Sequence, residues 1–259
     1  MIISVVQSYP SLATSEADVK NNMRKCETLL HQAWKMGSEL VVFPELCYTG
    51  YSFMSGEQAA RVCEKPDGPT FRFMQKAAIS LKAYVAWGYV ESDGRKLYNS
   101  ATIVSPDGNL VTRYRKVNLW GTDFLWASPG IESAPVIQTE LGLMSVIICR
   151  DLRDKIPNNI PRIAASGSRM FEDKRVDLVA ACANWGKGGF PSTSWMDFAT
   201  DNKCVLAVAN RWGKEEVGSF VQDFGQGGSA IIEPDWTVHT NGLEFSQDCV
   251  VTSTLGGIR

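Results

Sequence analysis

The sequence predicts an α/β fold, and three observations carry that prediction. The chain opens with a strand–helix–strand unit: residues 2–7 and 40–43 are apolar runs on either side of a long amphipathic segment. Closely spaced strands fill the middle, two of them joined by the turn Pro106-Asp107-Gly108. The tail turns to strands again. Periodicity alone leaves several α/β arrangements open.

Residues 2–7 read as a buried strand. Ser15 starts a helix, with Asp18 three residues on where a capping box usually has Glu or Gln. Val19, Met23, Cys26, Leu29, Leu30 and Ala33 share one face of that helix, which is expected to run to about residue 36, and Gly37 ends it. Residues 40–43 form the second strand, and the βαβ order favours parallel pairing. Residues 69–82 are helical, with Phe71, Met74, Ala78 and Leu81 apolar. Strands follow at 83–90, 100–104 and 110–114. Later come a helix at 160–167, a strand at 176–181, a helix at 192–202 and a strand at 205–210. The tail reads as strands over 228–233, 236–240 and 248–254, with Pro234-Asp235 turning between the first two. No repeat or linker interrupts the pattern, so residues 1–259 are expected to form a single domain.

Composition narrows the function classes. A chain of 259 residues, 44% hydrophobic and 21% charged, suits one large domain with a full core. The net charge of -2 and pI of 5.8 show no basic excess for nucleic acid or an anionic membrane. The amino terminus lacks a basic leader, and no apolar run approaches the ~20 residues of a membrane span. Seven cysteines, an odd number at irregular spacing without C-x-x-C, argue against a disulfide framework or zinc site. A reducing cytoplasm is the expected compartment. The two histidines, His31 and His239, lie in contexts that do not look catalytic, so a Cys–His pair has few candidates. Gly225-Gln226-Gly227-Gly228 has no P-loop lysine after it and reads as a turn into a strand.

Three polar residues stand at the edges of apolar strands. Val41-Val42-Phe43-Pro44 runs into Glu45, Leu110-Val111-Thr112 leads to Lys116, and Val146-Ile147-Ile148 stops at Cys149. A thiol at the carboxyl end of a buried strand, beside the charges of Arg150 and Asp151, is a common way to present a nucleophile. Taken singly, each has an ordinary alternative: a buried small hydrophobe for the cysteine, a cap or ion pair for the glutamate, and a solvated, charged edge strand for the lysine.

Together, their order and contexts resemble the nitrilase superfamily of carbon–nitrogen hydrolases. Phe43-Pro44-Glu45 with Gly50-Tyr51 is similar to the glutamate motif, Tyr114-Arg115-Lys116-Val117 to the lysine motif, and Cys149-Arg150-Asp151-Leu152-Arg153 to the nucleophile motif. Ala183-Asn184-Trp185, Ala209-Asn210-Arg211, Gly228-Ser229 and Glu233-Pro234 resemble later landmarks. The resemblance implies a four-layer α-β-β-α sandwich, thioester chemistry without cofactor or metal, and a homodimer or higher homo-oligomer joined through helices outside the sandwich. Glu45 is then the base that activates Cys149 and the acid that protonates the leaving amine. Lys116 and the backbone N–H of Arg150 stabilise the oxyanion.

Family members usually carry a glutamate soon after the lysine motif. Residues 120–130 contain none, and Asp123 is the nearest acid. It is expected to substitute, the alternative being a turn cap. Tyr51, Trp120 and Trp185 are expected around the substrate. Arg150 stands where the family often has an aromatic or small polar residue; it is a candidate to bind a substrate carboxylate or lower the thiol pKa, or else to pair with Asp151 or Asp154. The charged stretch 169–175 reads as a solvated loop, with a lid or interface as alternatives. The expected substrate is a small linear amide or N-carbamoyl compound. The nitrile branch tends to carry Trp-Glu after the cysteine, which Arg150-Asp151 does not match. A catalytically silent member serving as a binding or regulatory subunit is the reading from another class.

Overall fold

Period-two alternation places apolar side chains on both faces of the first strands, which is the pattern of a sheet covered on both sides. The computed structural model describes residues 1–153, 171, 174–186, 191–240 and 246–256. The first half contains β1 (Ile2–Gln7), α1 (Glu16–Lys35), β2 (Leu40–Val42), α2 (Gly56–Ala60), α3 (Pro69–Leu81), β3 (Tyr84–Ser92), β4 (Leu97–Val104) and β5 (Leu110–Arg115). The second contains β6 (Ile137–Thr139), β7 (Gly142–Ile148), β8 (Leu178–Ala183), α4 (Thr193–Asp201), β9 (Val205–Asn210), β10 (Lys214–Val217), β11 (Phe220–Asp223), β12 (Ala230–Ile232), β13 (Val238–His239) and β14 (Cys249–Thr254).

These strands form two six-stranded sheets, ordered β14-β1-β2-β3-β4-β5 and β13-β12-β9-β8-β7-β6, plus the separate hairpin β10-β11. The central pairs β1–β2 and β2–β3 are parallel, as are β7–β8 and β8–β9. The sheets pack face to face. Ile3, Val5, Leu40, Val42, Ala86 and Ile103 of one share a buried core with Val146, Ile148, Ala181, Val208 and Ile231 of the other. The alternate residues Val6, Val41, Val85 and Trp87 turn outward onto Cys26, Leu29 and Ala33 of α1 and Met74 and Ala78 of α3. On the far side, Trp195, Phe198 and Ala199 of α4 are buried in the other core, with α4 packed on β9 and β12. The layering is α-β-β-α, as expected.

Local signals explain the element ends. Ser15 caps α1 by accepting from the Asp18 N–H, but the Asp18 carboxylate reaches back to Thr14 N at 2.9 Å, one residue before a capping box would place it. Pro69 opens α3, and Lys82 closes it in the left-handed region at φ 54°. Strands β6, β10 and β11 and helix α2 are additions to the expected pattern. They are short, and β10 and β11 carry charged residues that hide the alternation. Strands β3 and β4 extend beyond their expected ends to close a hairpin in which the Asp93 carboxylate caps the N–H groups of Arg95 and Lys96. The helix expected at 160–167 lies outside the described residues, as does most of the stretch 169–175. Among the described residues, no helix is long and apolar enough to cross a membrane.

Candidate active site

Glu45 lies just past the carboxyl end of β2. The chain turns sharply there, with Leu46 at φ 51°, and β3 presses against the turn at Gly88. A Cβ on Gly88 would sit 2.7 Å from both Glu45 Cα and Leu46 N, so only glycine allows this approach. Lys116 follows β5, an edge strand. The charged-edge expectation holds for Arg113 and Arg115, which pair with Glu91 at 3.6 and 2.5 Å. It fails for Lys116, which turns inward and is 1% exposed. Cys149 ends β7 and begins a 3₁₀ turn over Cys149–Leu152. Its φ of 43° is left-handed, a conformation that costs a non-glycine residue ~1–3 kcal/mol and is common where a side chain is being aimed.

Tertiary packing brings these strand ends together. Lys116 Nζ lies 2.7 Å from Glu45 Oε1 and 2.6 Å from Asp123 Oδ2. Asn99 Nδ2, on β4, donates to Glu45 Oε1 at 2.6 Å and to Asp123 Oδ1 at 3.1 Å. Asn99 is a site residue that the motifs do not mark, although a buried Asn inside an apolar strand signals a partner requirement. Asp123 sits in the 3₁₀ turn Gly121–Leu125 and also accepts from Trp120 N at 3.1 Å. One carboxylate thus both caps this turn and bonds Lys116. Glu45 Oε2 is enclosed and has no partner among the described residues.

Burial raises the Glu45 pKa, and Asp123 adds to the rise while Lys116 and Asn99 oppose it. Burial works against the Lys116 ammonium, but Asp123 and Glu45 outweigh it and hold the group well above its usual range. The Cys149 thiol is pushed up by burial and then by Glu45; Lys116 and a backbone hydrogen bond from Asn184 pull the other way. The resting site therefore holds a thiol beside a carboxylate of raised proton affinity.

Tyr51 is buried, with Lys116 Nζ 5.7 Å from its ring centroid, and its hydroxyl donates to the Trp120 carbonyl. Glu215 holds that segment through Tyr51 N at 3.0 Å and Ser52 N at 2.7 Å, and is itself paired with Arg211 at 2.6 Å. In the sequence Arg211 is only a landmark, and Glu215 carries no signal at all. Arg150 does not pair with Asp151. That carboxylate instead accepts from Tyr114 Oη at 2.8 Å and Asn118 N at 2.9 Å, and burial pushes it up to about 6. Asp154 lies outside the described residues. The Arg150 guanidinium lies 4.3 Å from the Trp120 ring centroid, and Arg153 lies 4.7 Å from that of Trp185. Trp185 is part-buried, and its backbone N–H donates to Asn210 Oδ1 at 2.7 Å. His239 pairs with Glu233 at 2.8 Å and His31 stacks on Trp34, both outside this cluster.

The sequence matches the carbon-nitrogen hydrolase family over residues 2–254. It is 30% identical to a nitrilase of Pyrococcus abyssi over 247 residues, which covers 95% of this chain and 86% of the relative. It is 28% identical to a protein N-terminal amidase of Schizosaccharomyces pombe, over 90% of this chain and 91% of the relative. Among solved structures, a mutant of the amidase from Nesterenkonia sp. AN1 shares the fold at a TM-score of 0.77 and 20% identity, covering 99% of this chain and 93% of its own. With the family pattern running through residues 2–254 and the paired-sheet sandwich in place, this chain belongs to the carbon-nitrogen hydrolases of the nitrilase superfamily.

Proposed function

We propose that this protein hydrolyses the C–N bond of a small linear amide or N-carbamoyl compound through a thioester on Cys149, with Glu45 and Lys116 completing the catalytic group. One observation carries the reading: the division of labour in the buried Glu45–Lys116 pair. Glu45 Oε1 is fixed by Lys116 and Asn99, while Oε2 is left without a partner among the described residues. The free oxygen is the one available to take the Cys149 proton. Lys116 uses two N–H bonds on Glu45 and Asp123. The third remains for an oxyanion.

In this reading the thiol proton passes to Glu45 as sulfur attacks the amide carbon. The oxyanion is met by Lys116 and the Arg150 N–H. Collapse expels the amine, which takes the proton from Glu45. Water, giving its proton to Glu45, then attacks the thioester; the C–S bond breaks, the acid is released, and Glu45 returns the proton to the departing Cys149 thiolate. Amidases among the relatives and structural neighbours support the amide reading, beside relatives that carry a nitrilase name. The Nesterenkonia amidase has been trapped with acrylamide added at its active-site cysteine, and bound to butyramide. A further relative, at 29% identity, is an omega-amidase of Danio rerio. The test is ammonia release from butyramide together with intact-protein mass. Wild type should turn over and show an acyl adduct on Cys149, and Cys149→Ala should do neither while unfolding at the same temperature. More than trace turnover by Cys149→Ala removes the thioester mechanism.

A further inference from the structure

We propose that the buried Arg211–Glu215 pair at the base of the β10–β11 hairpin is a positioning device for the reaction: Glu215 fixes Tyr51, and through Tyr51 the Trp120–Asp123 turn that aims Lys116. This deepens the amide-hydrolase reading and rests on it for the work that Lys116 does.

The hairpin belongs to neither six-stranded sheet. Its base is closed by the bonds Gly213 N to Gly225 O and Phe224 N to Gly213 O, both 2.9 Å. There it carries two buried charges, Arg211 and Glu215. Taking both ions out of water is costly, and such a pair is a weak source of stability. What this one does is hold backbone. Glu215 Oε1 accepts from Tyr51 N at 3.0 Å and from Arg211 Nη1 at 2.6 Å, and Oε2 accepts from Ser52 N at 2.7 Å. The guanidinium is fixed in turn, with Nη2 donating to Pro10 O at 3.2 Å and its carbon 4.0 Å from the Phe224 ring centroid. Phe224 meets the Tyr51 ring edge-on at 5.8 Å. Tyr51 is therefore gripped at its backbone by the carboxylate and at its ring by the residue that packs on the counter-ion. Gly50 makes room for this, since a Cβ there would lie 2.5 Å from Glu215 Oε1.

Held in this way, Tyr51 meets the turn beside Lys116 at two points. Its hydroxyl donates to the Trp120 carbonyl, and its own carbonyl accepts from Thr122 Oγ1 at 3.1 Å. Trp120 N and Lys116 Nζ then converge on Asp123 Oδ2 at 3.1 and 2.6 Å. Every step from Glu215 to Lys116 is thus a hydrogen bond or a neighbouring stretch of chain. Glu45 begins the turn that ends at Tyr51, and Thr49 N and Gly50 N both return to Leu46 O within it, at 3.1 and 3.0 Å. One carboxylate outside both sheets thereby steadies the segments that carry both partners of the buried pair. Because Glu215 acts through Tyr51, it is a positioning residue.

Hydrolysis of butyramide by Glu215→Gln, Tyr51→Phe and the double variant reads this relay, with a thermal melt on each. A glutamine has one acceptor oxygen where the carboxylate has two, so its NH₂ must face either the Tyr51 and Ser52 N–H groups or Arg211. Its kcat should fall about 10- to 100-fold, the scale of a small misplacement near the chemistry, while KM changes far less. Tyr51→Phe removes only the bond to Trp120 and should lower kcat too. The double variant should be no slower than the slower single one, because both changes break one path; effects that multiply overturn the inference. Alkylation of Cys149 by iodoacetamide, read by peptide mass, needs no turnover. Burial and Glu45 raise the thiol pKa and Lys116 opposes them, so a misaimed ammonium should slow alkylation in both single variants. Slower alkylation in both, with no hydrolysis by wild type, upholds the positioning and removes the hydrolase reading. Wild-type kcat and alkylation in Glu215→Gln, whatever its melting temperature, make the pair a strut for the fold alone; the inference then falls while the hydrolase reading stands. If Glu215→Gln does not fold, Tyr51→Phe decides, and unchanged kcat there overturns the inference.

Discussion

Asp123→Asn isolates a charge from a shape, because the two side chains are nearly isosteric. Asp123 is fully buried, with Oδ2 accepting from Lys116 and Trp120 and Oδ1 from Asn99. An asparagine must point its NH₂ at one of these donor sets, so one contact turns from attraction to conflict. The lost attraction to Lys116 at 2.6 Å is about 6 kcal/mol at an effective dielectric near 20. Against that, the carboxylate oxygens of Glu45 and Asp123 that bond the same ammonium lie within about 5 Å of each other, and on the same scale their repulsion is about 3 kcal/mol. Half of the loss is offset, so the melting temperature should fall by the equivalent of about 3 kcal/mol. Catalysis has no such offset. Lys116 loses one of the two anchors that aim its third N–H, and a misplaced oxyanion donor costs about 10²–10³ in kcat. Asp123 also helps to raise Glu45, so its neutralisation lowers the Glu45 pKa. Glu45 must be ionised to act as base, so the acid limb of kcat/KM should move to lower pH. A pH–rate profile with matched thermal melts measures both. Wild-type kcat with an unmoved acid limb refutes the reasoning, and so does a large loss of stability without loss of kcat.

Lys116→Arg keeps the charge but puts a planar fork into a site sized for an ammonium; kcat should fall at least about 100-fold, and near-normal turnover would make the lysine a mere counter-charge. Gly88→Ala drives a Cβ to within 2.7 Å of backbone beside Glu45, so activity should fall together with about 1–3 kcal/mol of stability, and a fully active, equally stable variant would show that the Glu45 turn can move aside freely. Asp151 is raised to about 6 in the folded state, above its unfolded value. Its contribution to stability is therefore full below the ordinary aspartate range and is lost as pH rises through about 6. Asp151→Asn, which cannot ionise, should gain in melting temperature relative to wild type between pH 4 and 7, and parallel curves would contradict that sign.

Much of the site was legible because each of its principal residues interrupts an apolar run. Glu45, Lys116 and Cys149 each follow a strand, and a charge or thiol in that place stands out against its neighbours. The main helices were equally plain, since an amphipathic face as in α1 is a local, repeating signal. What tertiary structure decided is which groups meet. Asn99 gave no sign that it would bridge Glu45 and Asp123, because the link depends on β4 lying between β3 and β5. Arg113 and Lys116 are similar in composition and context, yet one faces solvent and Glu91 while the other is buried against Glu45 and Asp123, because Arg113 and Arg115 share one face of the chain and Tyr114 and Lys116 the other. Asp151 and Arg150 are neighbours in sequence that take different partners, one pointing into Tyr114 and Asn118 and the other onto Trp120. Local sequence sets period, caps and turns because those interactions span a few residues. The partners of a buried charge come from segments tens of residues apart, and only the packed sheets bring them within hydrogen-bond reach.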